Sequence, residues 1–313
     1  MDTRHLKAFL KIADTGSISR AAESLGIAQP SLSQQLLRLE DEVGTALFRR
    51  TPRGVALTEA GRVFQEHARQ ILQASDRAVE DLRGLTGEAS GEVTLAVPWS
   101  ISRIAGLALI EAFARHAPLV RFRLVEATTG QIRGWLDDGK VDLGILHDLG
   151  PIRQLSLLPL AREELVLAGP AGRFPPGAVV QPEALAGLAL VAPGQPHGLR
   201  QVIEREAARL GVELTVTLDL DVMAHVAPLV AAGRHALVPR PVVAEALAAG
   251  EVSIARIGAG GMHRRLCLAR NAGKVVTHAS ARCEHLAITV LAELIARGVW
   301  LAEPAEALRL AGG

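Results

Sequence analysis

The sequence predicts an N-terminal winged helix-turn-helix, a long linker helix and a C-terminal α/β domain built as two lobes. Three observations predict this. Two short amphipathic helical patterns meet at a brief turn just before Pro30. A heptad of small and apolar residues runs from Phe64 to Leu85. From Glu92 onward, strand-like apolar runs alternate with helical patterns over about 200 residues, the signature of α/β folds.

Composition sets the bounds. The chain has 313 residues, 49% of them hydrophobic, enough for several cored units at roughly 100–150 residues per domain. Net charge is +1, so any attraction to nucleic acid must come from a local patch. Cys267 and Cys283 form no CxxC pair and read as reduced core residues, with a disulfide as the alternative. The opening stretch "MDTRHLKAFLKIADTG" lacks the apolar run of a signal peptide, and no run reaches the ~18 residues of a membrane span. A cytoplasmic protein with no membrane partner is therefore expected. There is no Tyr, and only 6 Phe and 3 Trp, which argues against aromatic platforms for stacking single-stranded bases.

The first helix, "RHLKAFLKIAD", gathers Leu6, Phe9, Leu10 and Ala13 on one face. The second, "GSISRAAESLG", has Ser17 or Ser19 as N-cap and stops at Gly26; Ala21 and Ala22 are small enough for another helix to approach closely. The third, "IAQPSLSQQLLRLE", places Pro30 at its first helical position. Leu32, Leu36, Leu39 and Val43 form its buried stripe, and Ser31, Gln34 and Arg38 face outward. Two helices joined by so short a turn make a helix-turn-helix pattern. An amide such as that of Gln34 can donate to and accept from adenine N6 and N7 in a major groove. Ser31 and Ser33, near the helix start, can reach phosphate or base edges. The ordinary alternative for Gln34 and Arg38 is a solvated helix face. "LFRRTPRGVALT" then reads as a two-stranded wing, with Arg49, Arg50 and Arg53 around a Pro52/Gly54 turn, and an arginine at its tip can enter a minor groove.

Thr58 is the expected cap of the linker helix. Phe64, Ala68, Ile71, Ser75, Ala78, Leu82 and Leu85 follow at alternating steps of 4 and 3. Such a helix is roughly 40 Å long at 1.5 Å per residue, and its narrow seam suits a second copy of itself. Packing on the chain's own C-terminal part is the alternative. "GLTGEASG" reads as a hinge. The expected organisation is 1–58, the winged helix-turn-helix; 59–88, the linker and dimerisation helix; 89–303, the α/β domain; and 304–313, a tail that frays. Within the α/β domain, lobe I covers 91–162 and 268–303 and lobe II covers 163–267, with mostly parallel strands and crossings near Pro159–Glu164 and Arg264–Arg270.

The stretch "AAESLGIAQPSLSQQLLRLEDEVGTALFRRTPRGVALTEAG" closely resembles the signature of LysR-type transcriptional regulators. Ala21, Ala22, Leu25, Gln29, Pro30, Ser33, Leu39, Glu40, Leu47, Phe48, Arg50, Arg53, Leu57, Thr58, Ala60 and Gly61 fall in register with it. Ala28 departs from it, since many relatives carry Ser or Thr there. The resemblance implies a dimerising linker helix and a two-lobed effector domain of the periplasmic-binding-protein type. It implies that Gln29, Pro30, Ser33 and Gln34 enter the major groove and Arg53 the minor groove, while Arg50 contacts phosphate. It leaves Arg38 unranked. The partners implied are double-stranded DNA with an interrupted dyad, a second copy of the chain as dimer or tetramer, RNA polymerase, and a small-molecule effector.

For the effector, a two-lobed α/β domain binds beyond the carboxyl ends of its strands, where helix N-termini point. "AVPWSIS" offers Ser100 and Ser102 beside Trp99; "VEATTGQ" offers Thr128 and Thr129; "ILHDLG" offers His147; and "APGQPHGLR" offers Gln195, His197 and Gly198. The ordinary role of a single Ser or Thr at such a place is an N-cap. Hydroxyls and helix starts together suit a small anion or carboxylate, with which His147 and His197 could pair if protonated; the preferred reading of each is a hydrogen-bonded core imidazole or a surface one. "DLDVMAHV" is a weaker candidate, because Val222 follows Asp221 where many relatives have Ser.

No cofactor or metal is expected. Cys283 and His285 point to different sides of a helix, and no GxSxG, P-loop or HExxH occurs. "IGAGGMH" (Ile257–His263) reads as a loop. An α/β enzyme with a DNA-binding appendage and an exported solute carrier are the alternatives. The first lacks a nucleophile–base or metal constellation in the sequence, and the second lacks an export signal.

Overall fold

The fold is that of a computed structural model. It describes residues 2–51, 54–65, 67–68, 71–72, 89–147, 150, 154–258 and 260–311. They fall into two units, Met1–Gly87 and Glu88–Gly313.

In the first unit, α1 (Thr3–Thr15) is capped by Asp2 and α2 (Ile18–Leu25) by Ser17, and Gly16 and Gly26 end them in the left-handed conformation. Helix α3 (Gln29–Val43) opens one residue earlier than expected, so Pro30 is its second residue. Its N–H there would also have lacked an intrahelical partner, so proline costs nothing. Leu32, Leu36 and Leu39 pack with Leu6, Phe9, Ile12, Ala21 and Ala22 into one core. The wing is β1 (Phe48–Thr51) antiparallel to β2 (Gly54–Leu57).

Two local devices fix the wing. The Glu40 carboxylate at the end of α3 accepts the Leu47 and Phe48 N–H groups at 2.7 and 3.1 Å. At Gly54, φ is +134° and a Cβ would lie 2.3 Å from the Gly16 carbonyl oxygen, so only glycine fits. Thr58 starts the next helix, α4 (helical at 59–65, 67–68 and 71–72), by accepting the Gly61 N–H at 2.9 Å and donating to the Ala46 carbonyl at 2.8 Å. Phe64 meets Phe9 edge-on, with ring centroids 5.1 Å apart, and Ala68 is buried in the same core. Ile71 is exposed. Ala78, Leu82 and Leu85 lie outside the described residues.

The second unit is one continuous sheet with helices packed on it. It runs β3 (Gly91–Val97), α5 (Trp99–His116), β4 (Val120–Glu126), α6 (Thr129–Asp137), β5 (Leu143–His147) and β6 (Leu155–Pro170). It continues β7 (Val179–Val180), β8 (Ala189–Ala192), α7 (Gly198–Leu210), β9 (Thr215–Asp219), α8 (Val226–Ala231), β10 (His235–Pro239) and α9 (Ala244–Ala248). It ends β11 (Val252–Ile257), β12 (Met262–Asn271), α10 (His278–Ala296), β13 (Ala302–Pro304) and α11 (Glu306–Ala311). The main path is β4-β3-β5-β12-β6-β10-β8-β9.

The cores define two lobes. One lobe holds Leu95, Ile101, Leu109, Ile145 and Leu160 with α10, and a smaller cluster of Ile132, Leu136 and Leu146; the other holds Leu165, Leu167, Val202, Val230 and Leu237. Strands β6 and β12 run from one core to the other, antiparallel and paired from Met262↔Leu165 to Asn271↔Leu155. The crossing segments Pro159–Glu164 and Arg264–Arg270 lie inside these two strands.

The structure corrects three expectations. The sheet is mixed, not mostly parallel: β3, β4 and β5 are parallel, as are β8, β9 and β10, but the crossing strands run antiparallel to their neighbours. A chain that leaves lobe I along β6 and returns along β12 must oppose itself there. "IGAGGMH" is only partly a loop, because Ile257 ends β11 and Met262 opens β12. Residues 302–311 do not fray: β13 pairs with β6, the Ala305 N–H donates to the Leu160 carbonyl at 2.7 Å, and Leu308 is buried.

Candidate functional site

Each unit carries one candidate site. On α3, the buried leucine stripe turns Gln29, Pro30, Ser31, Gln34 and Arg38 outward as exposed residues, with Ser33 half-buried. Ala28 occupies the N-cap and supplies no side-chain bond, so the first N–H groups of α3 have no side-chain cap. Leu37, unremarked in the sequence, is 58% exposed beside Gln34 and Arg38. Its signal was its place off the Leu32/Leu36/Leu39 stripe; an exposed apolar side chain there can meet a thymine methyl. Arg50 lies in β1. Its side chain and the whole of Arg53 lie outside the described residues.

In the second unit, a cavity of about 280 Å³ opens between the lobes. Three helices begin at it. Helix α5 starts at Trp99, after Pro98 as N-cap. Helix α6 starts at Thr129, and its cap Thr128 is locked in a reciprocal box with Gln131. Helix α7 starts at Gly198; its cap His197 accepts the Leu199 N–H on Nδ1 at 3.1 Å, which leaves the proton on Nε2. Ser100, Thr128, Thr129, His147 and His197 all line the cavity.

Three of the expected contacts fall elsewhere. Ser102 lies one turn further into α5 and does not line the cavity; Gln195 does not either, its amide being bonded to Glu204. Gly198 lines nothing but seals the lobes: a Cβ there would lie 2.8 Å from Thr129 Cβ and 3.2 Å from His147 Cδ2.

Behind the cavity sits an ion pair that the sequence reading placed only at the crossing. Arg264 on β12 faces Glu163 on β6, and each is 1% exposed. Arg264 Nε donates to Glu163 Oε2 at 2.6 Å, and Nη2 donates to Ser100 Oγ at 2.9 Å. The sequence signal was parity, since Arg264 stands two and four residues from the buried Leu266 and Leu268. Asp221 also lines the cavity and accepts the Gly194 N–H at 3.0 Å, so it contributes despite the missing serine.

These surroundings decide the histidines. Burial first, then the charge of Arg264, holds His147 well below the usual histidine range. Burial also lowers His197, with Asp221 pulling the other way. Both shifts favour the neutral imidazole, which weighs against His147 and His197 pairing with an anion as cations, and among the described residues Arg264 is the side chain that brings a full positive charge to the cavity wall. Among the described residues no helix is long and apolar enough to cross a membrane.

The comparisons with known proteins address both units. The family model for the bacterial regulatory helix-turn-helix protein, lysR family, matches residues 3–62, and the LysR substrate binding domain matches residues 86–291. The nitrogen assimilation regulatory protein nac of Klebsiella aerogenes is 34% identical over 201 residues, which is 64% of this chain and 65% of that relative. A full-length OxyR variant from Pseudomonas aeruginosa superimposes with a TM-score of 0.70 at 24% identity, covering 94% of each chain. Full-length CbnR in complex with its target DNA does so at 0.65 and 24% identity, covering 91% of this chain and 98% of that one. These two likenesses concern the fold. With matched models covering the helix-turn-helix and nearly all of the two-lobed domain, the chain belongs to the LysR family of DNA-binding transcriptional regulators.

Proposed function

We propose that this chain is a cytoplasmic, sequence-specific regulator of transcription whose grip on DNA is set by a small anionic effector held between the lobes. The observation that carries the reading is the cavity itself. Three helix starts, the Ser100 and Thr129 hydroxyls and one buried guanidinium converge on it in the domain where this family binds small molecules. On the DNA side, Gln29, Pro30, Ser33 and Gln34 read the major groove, Leu37 adds an apolar contact, Arg53 takes the minor groove and Arg50 a phosphate. The full-length CbnR that shares this fold was captured on its target DNA, which supports DNA as the partner. Phe64 and Ala68 are taken by the unit's own core, so it is the seam from the exposed Ile71 onward that pairs two copies, and paired copies read an interrupted dyad. RNA polymerase is the further partner through which such a regulator acts. The effector works by binding one lobe arrangement better than the other, which shifts the spacing of the paired reading heads.

The test is to incubate the purified chain with sheared DNA from its own genome at near-physiological salt and sequence what it retains. A few sharp sites, each an interrupted dyad, are expected. Gln34→Ala should blur the base preference at one position per half-site, by about 1–3 kcal/mol. Uniform, salt-sensitive retention by the wild-type chain, with and without small anions, would overturn the reading.

A further inference from the structure

We propose that Arg264 anchors a single carboxylate of the effector and that Glu163 is the internal counter-charge that sets how tightly it does so. This rests on the reading of the cavity as the effector site and adds the chemical class that the cavity selects.

An arginine offers five N–H donors in a planar fork. In Arg264, Nε is taken by Glu163, and Nη2 lies between Glu163 and Ser100. Nη1 has no acceptor among the described residues, although the residue is 1% exposed and lines the cavity. A guanidinium drawn this far from water, with a donor pair still open, needs an acceptor delivered from the cavity side. The surrounding groups are donors too. The starts of α5, α6 and α7 favour negative charge, and the neutral His197 holds its proton on Nε2. A ligand that fits must bring lone pairs and negative charge.

The count of charges limits that ligand to one anionic group. Glu163 already compensates Arg264, and the two neutral histidines supply no second cation. Glu126 and Asp221 line the same cavity and repel a further negative charge. The volume, about 280 Å³, lies just under the lower end of ordinary ligand pockets, roughly 300–1,000 Å³. The class selected is thus a small monocarboxylate, not a phosphate or a dicarboxylate. Glu163 Oε1, buried and without a hydrogen-bond partner among the described residues, shows that the pair is imperfectly satisfied, and the open Nη1 of Arg264 is the donor that a ligand carboxylate would take.

The test uses the full chain and a fixed set of probes: propionate, butyrate and benzoate, their primary amides, succinate and inorganic phosphate. Dissociation constants are read by calorimetry, with the thermal midpoint as a second readout. At least one monocarboxylate should bind saturably, with its amide about 30-fold weaker or worse. Glu163→Gln removes the internal counter-charge, so the free protein should lose stability while the carboxylate binds about 10-fold tighter. The double variant Arg264→Gln with Glu163→Gln is charge-neutral and folds without a stranded ion; it should lose the carboxylate by about 30-fold or more. A purely structural ion pair would give no tightening in Glu163→Gln. Equal binding of acid and amide, preference for phosphate or succinate, weaker carboxylate binding in Glu163→Gln, or no binding of any of the three acids by the wild type would each overturn the assignment. None of these touches the DNA-selection result, so a failure here and a failure of the regulator reading are told apart.

Discussion

In the N-terminal unit, Gln29 and Gln34, two of the residues assigned to DNA, are exposed on one helix, on the side away from its leucine stripe. In the C-terminal unit, Arg264 at the cavity is buried and bonded to Ser100 and Glu163, partners far away in sequence. The same chemistry of hydroxyl, amide and guanidinium therefore works under opposite conditions. On α3 the backbone supplies the precision: leucines on one stripe fix which side faces out. In the cavity the network supplies it, and each member is placed by the others. A solvated surface forgives the loss of one contact, whereas a buried network leaves the remaining partner stranded.

Four substitutions test this difference between the two units. The largest effect is expected from Leu39→Ala, which empties a fully buried position under α3. It should cost about 2–5 kcal/mol in denaturant unfolding of the N-terminal unit and weaken every DNA site alike. Selective loss at some sites would mean that the stripe does more than hold the helix. Glu40→Ala removes the carboxylate that accepts two wing N–H groups. A loss of about 1.5–3 kcal/mol is expected, seen as faster hydrogen exchange at Leu47 and Phe48. Exchange unchanged from wild type would show that the wing is held otherwise. Gly198→Ala pushes a methyl against Thr129 and His147. It should cost about 1–3 kcal/mol of the closed lobe arrangement and weaken effector binding accordingly, with intrinsic affinity for non-specific DNA unchanged. An unaltered effector affinity would show that the lobes do not need this contact. The smallest effect is expected from Ala28→Ser, which supplies the cap that α3 lacks. It should raise the stability of the N-terminal unit by about 1 kcal/mol, and a fall in stability would show that a side chain at that position disturbs the turn.

The sequence made the first unit legible in detail because its determinants are local. The caps at Ser17 and Thr58, the glycine stops and the leucine stripe of α3 each act within a few residues. The seam was harder to read. Heptad spacing marks a face but does not say what covers it, and Phe64 and Ala68 are covered by the unit's own core. In the second unit the hydroxyls at strand-to-helix junctions were visible as motifs, and Ser100, Thr128 and Thr129 line the cavity. Gln195 carried the same local signal and faces Glu204 instead. A junction says that a side chain is near a helix start; the path of the neighbouring loop says where it points.

The consecutive residues were enough for the helices and wing of the first unit, the outward face of α3 and the family to which the chain belongs. Hydrophobic period, capping and turn chemistry are short-range and are written in consecutive residues. The tertiary structure added that Arg264 is, among the described residues, the one full cation on the cavity wall, that Glu163 lies beside it, and that burial holds His147 well below the usual histidine range. Those facts depend on the register of β6 against β12, which brings together residues 101 positions apart, and on burial, which sets the cost of charge.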